Sequence, residues 1–251
     1  MSANRPFVLT IAGLDPSGGA GILADIKTFE QHKVTGFGIS TANTIQTENV
    51  FHEIQWTNSD FIIRSIETLF NSYKISTIKI GIVSSLNDLN QIISTIKNLS
   101  PTTKIVWDPV LKSTTKFEFM TIEDYSHLYK ILSKIDLITP NYHEIEILFP
   151  GFISKMLCKE IKIPVNILLK GGHNETEIGT DRLFLKNEIY DLRPTEKECS
   201  EKHGSGCVLS SAIASNLACN QTIKEACKNA KKYIEKYLSS TSTLIGYHYV
   251  Q

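Results

Sequence analysis

The glycines of Lys202-His203-Gly204-Ser205-Gly206-Cys207 open directly onto the small and apolar helix formers Val208-Leu209-Ser210-Ser211-Ala212. A glycine turn feeding a helix leaves backbone N–H groups unpaired at the positive end of the helix dipole, which is a place for an anion. Cys207 falls on the first turn, where the same field favours thiolate over thiol and is expected to lower its pKa. Gly204, Ser205 and Gly206 thus offer an anion cradle, and Cys207 a tunable base. A glycine turn before a buried helix with a core cysteine would use the same residues.

A second glycine-rich stretch, Ala12-Gly13-Leu14-Asp15-Pro16-Ser17-Gly18-Gly19-Ala20-Gly21, lies where a strand-like run hands over to a helical one. It has no Gly-Lys-Ser/Thr ending and its glycine offsets differ from Gly-x-Gly-x-x-Gly, so neither a P-loop nor a dinucleotide loop is expected. Its glycines let the backbone approach something small and flat. Asp25, one helical turn past Gly21, is expected to face back toward the loop, although it could also be a solvated surface acid.

The elements that must position these residues alternate along 251 residues. Apolar β-branched runs at 7–12, 38–45, 77–82, 104–107, 137–139 and 165–169 alternate with helical spacing at 19–32, 60–71, 87–98, 122–133 and 144–149. A hairpin is expected from 181–185 and 188–192 around Lys186-Asn187, followed by the Cys207 helix and a last helix near 223–238. This order predicts a mostly parallel sheet with an antiparallel edge, covered by helices in one domain spanning residues 1–251.

Composition narrows the partners. Lys plus Arg and Asp plus Glu both number 26, so no global field exists to hold nucleic acid or an anionic membrane. The five cysteines (Cys158, Cys199, Cys207, Cys219, Cys227) form no Cys-x-x-Cys pair. The first residues show no signal-peptide core, and no apolar run approaches the roughly 20 residues of a membrane helix. A cytoplasmic protein that binds small molecules is expected.

Thr10-Ile11-Ala12-Gly13, Asp15-Pro16-Ser17-Gly18-Gly19-Ala20-Gly21-Ile22, Ala24-Asp25 and Lys27-Thr28-Phe29, with Lys170-Gly171-Gly172-His173 and His203-Gly204-Ser205-Gly206-Cys207, strongly resemble the hydroxymethylpyrimidine/phosphomethylpyrimidine kinases of thiamine biosynthesis. These belong to the ribokinase-like superfamily. The resemblance extends over nearly the whole chain. It implies a three-layer α/β/α fold and phosphorylation of 4-amino-5-hydroxymethyl-2-methylpyrimidine, then of its monophosphate, with ATP and Mg2+.

Carried over by position, the resemblance places the pyrimidine against Gly13 and Asp25. Gln46 supplies an amide to the ring edge and Val110, after Asp108-Pro109, walls the ring. An amide carries both donor and acceptor, which suits an aminopyrimidine. Asn141 and Glu144 of Asn141-Tyr142-His143-Glu144 stand near Mg2+ and the phosphates, with Glu144 as the metal-facing carboxylate. The same pair reads, from spacing alone, as a helix N-cap and its capping-box partner. Lys170 directs an ammonium at the transferring phosphate, and Cys207 takes the acceptor's proton. A homodimer is the expected assembly.

Departures from the family pattern occur at Ile82, where several members have methionine, at Ser205 in place of threonine, at Thr114-Thr115-Lys116, and in the C-terminal Gly246-Tyr247-His248-Tyr249-Val250-Gln251, which lacks a Gly-x-Gly-Pro ending. Two alternatives follow: a pyridoxine or pyridoxal kinase of the same fold, and a non-catalytic pyrimidine-binding module.

Overall fold

The computed structural model describes residues 5–112, 117–157, 163–173, 177–186, 188–195 and 199–248. Thr114-Thr115-Lys116, Cys158, Asn187 of the hairpin turn and Tyr249 to Gln251 lie outside the described residues.

Alternate residues of the central strands go to opposite faces, so an apolar run builds two cores at once. In β1 (Phe7–Leu14), Val8 packs to one side while Leu9 and Ile11 pack to the other. Within β5 (Lys104–Trp107), Val106 opposes Ile105 and Trp107, and within β7 (Asn166–Leu169), Leu168 opposes Ile167 and Leu169. With β2 (Thr35–Gln46), β4 (Ile75–Ile80) and β6 (Leu137–Ile138), these strands form the parallel centre of a sheet that has nine strands among the described residues. Adding β3 (Phe51–Trp56), β8 (Asp181–Leu185) and β9 (Glu188–Leu192) gives the order β3-β2-β1-β4-β5-β6-β7-β8-β9.

One face carries α2 (Ser59–Ser72), α3 (Leu86–Leu99), α4 (Tyr125–Leu132), α5 (Tyr142–Leu148) and α6 (Phe152–Leu157). The other carries α1 (Gly21–Gln31), α7 (Ser205–Ala218) and α8 (Ile223–Leu238), which completes the expected three layers. Every residue of α7 from Val208 to Ala218 is buried, which explains its small, apolar composition all round. The amphipathic α8 starts on a capping box of Thr222 and Glu225, an arrangement whose cap is worth about 1 kcal/mol.

The expected antiparallel edge is formed by β8 and β9, and β3 adds a second one by pairing antiparallel with β2 at the opposite end of the sheet. The run Phe51-His52-Glu53-Ile54-Gln55-Trp56 alternates with polar residues because it lies at the sheet edge, so its apolar signal is weak. The six-residue α6 is too short to show a helical period. Among the described residues, no helix is long and apolar enough to cross a membrane.

Candidate active site

Five parallel strands deliver functional groups at their C-terminal ends, where open α/β sheets bind ligands. Beyond β5, Asp108 is fully buried, and its Oδ1 accepts bonds from Lys170 Nζ at 2.9 Å and Thr139 Oγ1 at 3.0 Å. Lys170 follows β7 and is carried beside Asn141 by a parallel bridge. Its ammonium also lies 3.7 Å from Glu144 Oε2. A Cβ at Gly206 would stand 3.2 Å from Lys170 Nζ and 3.4 Å from Asp108 Oδ2, so the first turn of α7 comes directly against this ionic cluster. There Gly206 and Cys207 present N–H groups that a helix cannot pair internally.

Asn141 and Glu144 form the capping box that their spacing allows: Asn141 Oδ1 accepts from the Glu144 N–H at 2.8 Å, and Glu144 Oε2 from the Asn141 N–H at 2.7 Å. Burial pushes the Glu144 carboxyl up, the Lys170 charge opposes that, and neighbouring Asp108 adds to it, leaving a pKa of about 7. Asp108 behaves differently: burial would raise it, but Lys170 and Lys79 outweigh burial and hold it below the usual carboxylate range. Lys79 and Lys170 face three buried carboxylates, Asp25, Asp108 and Glu144, so with Glu144 ionised the cluster is one positive charge short. This fits Mg2+, which takes one or two protein carboxylates and leaves its other positions to phosphates and water. Among the described residues, no group of three or more His, Cys, Asp or Glu converges on one point.

The glycine loop meets the cradle directly. Gly204 caps α7 at φ +71°, and a Cβ there would fall 2.1 Å from Gly19 O. Asp15 braces the loop by accepting from the N–H groups of Ser17 and Ala20, both at 2.9 Å, and its Oδ2 lies 2.8 Å from His203 Nε2. Burial would raise Asp15, but His203 and Ser17 hold it low. The tail reaches the same place, since the His203 N–H donates to Leu244 O at 2.9 Å and Ile245 Cδ1 would lie 2.9 Å from a Cβ on Gly19.

Gly13 follows a register shift in the β1–β2 pairing, and a Cβ on it would lie 2.5 Å from Ile82 Cδ1, so the isoleucine that departs from the family pattern packs directly onto this glycine. Gln46 ends β2 and Val110 is half-buried beyond β5. Both share this end of the sheet, and the Gln46 amide makes no hydrogen bond among the described residues.

Two expectations are corrected. Asp25 does not face the loop pocket: it is fully buried, and its carboxylate accepts from Lys79 Nζ at 2.9 and 3.1 Å, Thr10 Oγ1 at 2.5 Å and Ser211 Oγ at 2.6 Å. The turn of α1 that carries it is pressed between the sheet and α7, which leaves no solvent on that side. Cys207 does sit in the first turn of α7, but its pKa is raised to about 11 rather than lowered. Burial pushes the thiol up, Lys79 opposes it, and Asp25 and Asp108 reinforce it.

Sequence reasoning assigned no role to Lys79, Asp108 or Asp15. Lys79 had a visible signal, a charge between Ile78 and Ile80 inside an apolar strand. A lysine there needs a buried anion. Among the described residues, Cys207, Cys219 and Cys227 are free thiols.

The half-buried Lys170 and the buried Asp108 and Glu144, set against a helix N-terminus on a three-layer α/β sheet, are the groups a phosphotransferase site requires. A sequence profile described as Phosphomethylpyrimidine kinase matches residues 15–250. The chain belongs to the phosphomethylpyrimidine kinase family, and it is a kinase of thiamine biosynthesis. It is 32% identical over 218 residues to the hydroxymethylpyrimidine/phosphomethylpyrimidine kinase of Aquifex aeolicus, covering 84% of this chain and 85% of that one. The crystal structure of phosphomethylpyrimidine kinase from Clostridium difficile superposes with a TM-score of 0.74 at 32% identity, over 92% of this chain and 98% of that one. An ADP complex of Bacillus subtilis pyridoxal kinase gives 0.76 at 26% identity, over 93% and 92%.

Proposed function

We propose that the protein transfers the terminal phosphoryl group of ATP to 4-amino-5-hydroxymethyl-2-methylpyrimidine, and then to its monophosphate. The observation that carries this reading is the meeting of Lys170, Asp108 and Glu144 with Gly206 at the start of α7, next to the glycine loop through Gly204 and Gly19. The donor and acceptor sites of a phosphoryl transfer must adjoin in this way.

In this reading the N–H groups of Gly206 and Cys207, with Gly204 and Ser205 shaping the turn, cradle the anionic group in transfer. Lys170 brings a point charge to it. Glu144, with Asp108 and the Asn141 cap, would hold Mg2+, which when bound neutralises phosphate charge. Gly13, Gln46 and Val110 bound the pyrimidine, with the unpaired Gln46 amide available to its ring edge. Asp25 acts from beneath, by fixing Lys79 under Cys207. Cys207 receives the acceptor hydroxyl proton. It rests as a thiol, so it must first give its own proton to solvent, which reaches the half-buried side chain, and Lys79 and the Gly21 N–H favour that loss. A loose transition state places little charge on the nucleophile early, so a partly populated base is tolerable.

The described residues are organised on one nine-stranded sheet, which supports a single domain over residues 1–251. The assembly is proposed as a cytoplasmic homodimer, with the exposed Ile45 and Val50 of the β2–β3 edge as apolar surface for a second copy. Balanced charge argues against nucleic-acid or membrane partners.

The test is an assay with Mg-ATP that separates mono- and diphosphate products, run beside pyridoxal. Expected are both pyrimidine products and a kcat/KM for pyridoxal well below that for the pyrimidine. Monophosphate alone would limit the proposal to the first step. Faster turnover of pyridoxal would replace it with the pyridoxal kinase reading, and binding without turnover with the non-catalytic one.

A further inference from the structure

Lys231 lies on the apolar face of α8, among the buried residues Ala226, Cys227, Ala230 and Ile234, with only 10% of its side chain exposed. A lysine there must meet anions or carbonyls, and it does so across the helix–sheet boundary. Its Nζ donates to Asp181 Oδ2 at 2.9 Å and to Gly179 O, and lies 3.9 Å from Glu235 Oε1. None of these groups touches the active site itself.

Their other bonds lead there. Asp181 Oδ1 accepts from the Gly171 N–H at 2.8 Å, and the Gly179 N–H donates to Gly171 O at 2.9 Å. Both backbone groups of Gly171 are therefore held by the two residues that Lys231 holds. The turn is packed tightly against β8, since a Cβ on Gly171 would lie 1.8 Å from Thr180 O. The residue before it is Lys170, whose own N–H is fixed to Pro140 O at 2.9 Å. The backbone on both sides of Lys170 is thus pinned, on one side by the sheet and on the other by a clamp that ends at α8.

We propose that Lys231 is a positioning residue for Lys170: by anchoring Gly179 and Asp181 to α8, it fixes the turn at Gly171 and so sets where the Lys170 ammonium stands relative to Asp108 and the cradle. This rests on the reading that Lys170 meets the transferring phosphoryl group. Lys231 is 50 residues from Asp181 and 52 from Gly179 in the sequence, so only the fold connects them.

The experiment is a double-mutant cycle on the full chain with Lys231→Met, Lys170→Ala and the pair, measuring kcat and KM for ATP and for the pyrimidine beside thermal midpoints. Misplacing a charge by about 1 Å costs up to about 100-fold. Lys231→Met is therefore expected to lower kcat/KM for ATP roughly 10- to 100-fold, to leave KM for the pyrimidine within about twofold, and to cause no further loss when Lys170 is already alanine. Lys231→Arg, which keeps the charge, should recover part of the rate. If Lys231→Met does not fold, Asp181→Asn takes its place in the cycle with the same expectations.

Wild-type kinetics for Lys231→Met, or an equal fold-loss with and without Lys170, would overturn the proposal. Full activity of Lys170→Ala would instead remove the reading of Lys170 on which the proposal rests. A slow Lys170→Ala beside an unaffected Lys231→Met would remove the clamp alone.

Discussion

Lys79 and Asp25 form an ion pair, 2.9 Å from Nζ to Oδ2, that solvent reaches at neither side chain. Burial alone would discharge the lysine, but Asp25 first, then Cys207 and Asp108, outweigh it and hold its pKa above the ordinary value. The pair sits under Cys207 and next to Asp108, so the charge that biases the active-site sulfur is set from within the core. Thr10 and Ser211 bring β1 and α7 to the same carboxylate. One buried carboxylate therefore joins β1, α1, β4 and α7.

The first prediction follows from that enclosure. Removing one member of a buried pair leaves an uncompensated charge and costs about 3–5 kcal/mol. Asp25→Ala and Lys79→Met should each lower unfolding free energy by about that much in urea, and the double variant Lys79→Met/Asp25→Ala by less than the sum. A normal unfolding curve for Asp25→Ala with only a raised pyrimidine KM would return Asp25 to the pocket wall.

For Cys207, the expected observable is a pH profile. A base with a free-enzyme pKa of about 11 is mostly protonated at neutrality, so kcat/KM should climb close to tenfold per pH unit through the accessible alkaline range. Iodoacetamide should inactivate more slowly at pH 8 than it modifies free cysteine, whose pKa is about 8.5. Cys207→Ala should lose about 10²–10⁴ in kcat and flatten the rising limb. An alanine variant with unchanged kcat would show that the sulfur is not the base.

Glu144 provides a test on the acid side. Its carboxyl titrates near 7 in the fold against 4.5 for the free group, so the folded state binds the proton more tightly. Its contribution to stability is complete below about 4.5 and is lost as pH rises through about 7. A cation needs the ionised form, so the Mg2+ concentration for half-maximal activity should rise as pH falls from 8 to 6. Glutamine can still complete a capping box, so Glu144→Gln should fold, require more Mg2+ and show no such pH dependence. Equal losses of Mg2+ response and pyrimidine affinity would make Glu144 a helix cap only.

The sequence by itself determined most of the elements and the local turns and caps on which the candidate site is built. Strand runs such as 104–107 and 181–185 and the last helix at 223–238 carry their own periodicity. Gly204 and Gly206 mark the start of α7, and Asn141 and Glu144 their capping box, because capping and turn chemistry are local. Only the tertiary structure decided which groups face one another and at what charge. Asp25 and Lys79 are 54 residues apart and Lys170 and Asp108 are 62 apart, so no local spacing could show either pair. Reading Cys207 from its helix terminus alone gave a lowered pKa. Burial and the carboxylates of Asp25 and Asp108, brought in by α1 and β5, act over the same few ångströms and reverse the sign, because desolvation depends on everything packed around a group and a helix dipole only on the helix.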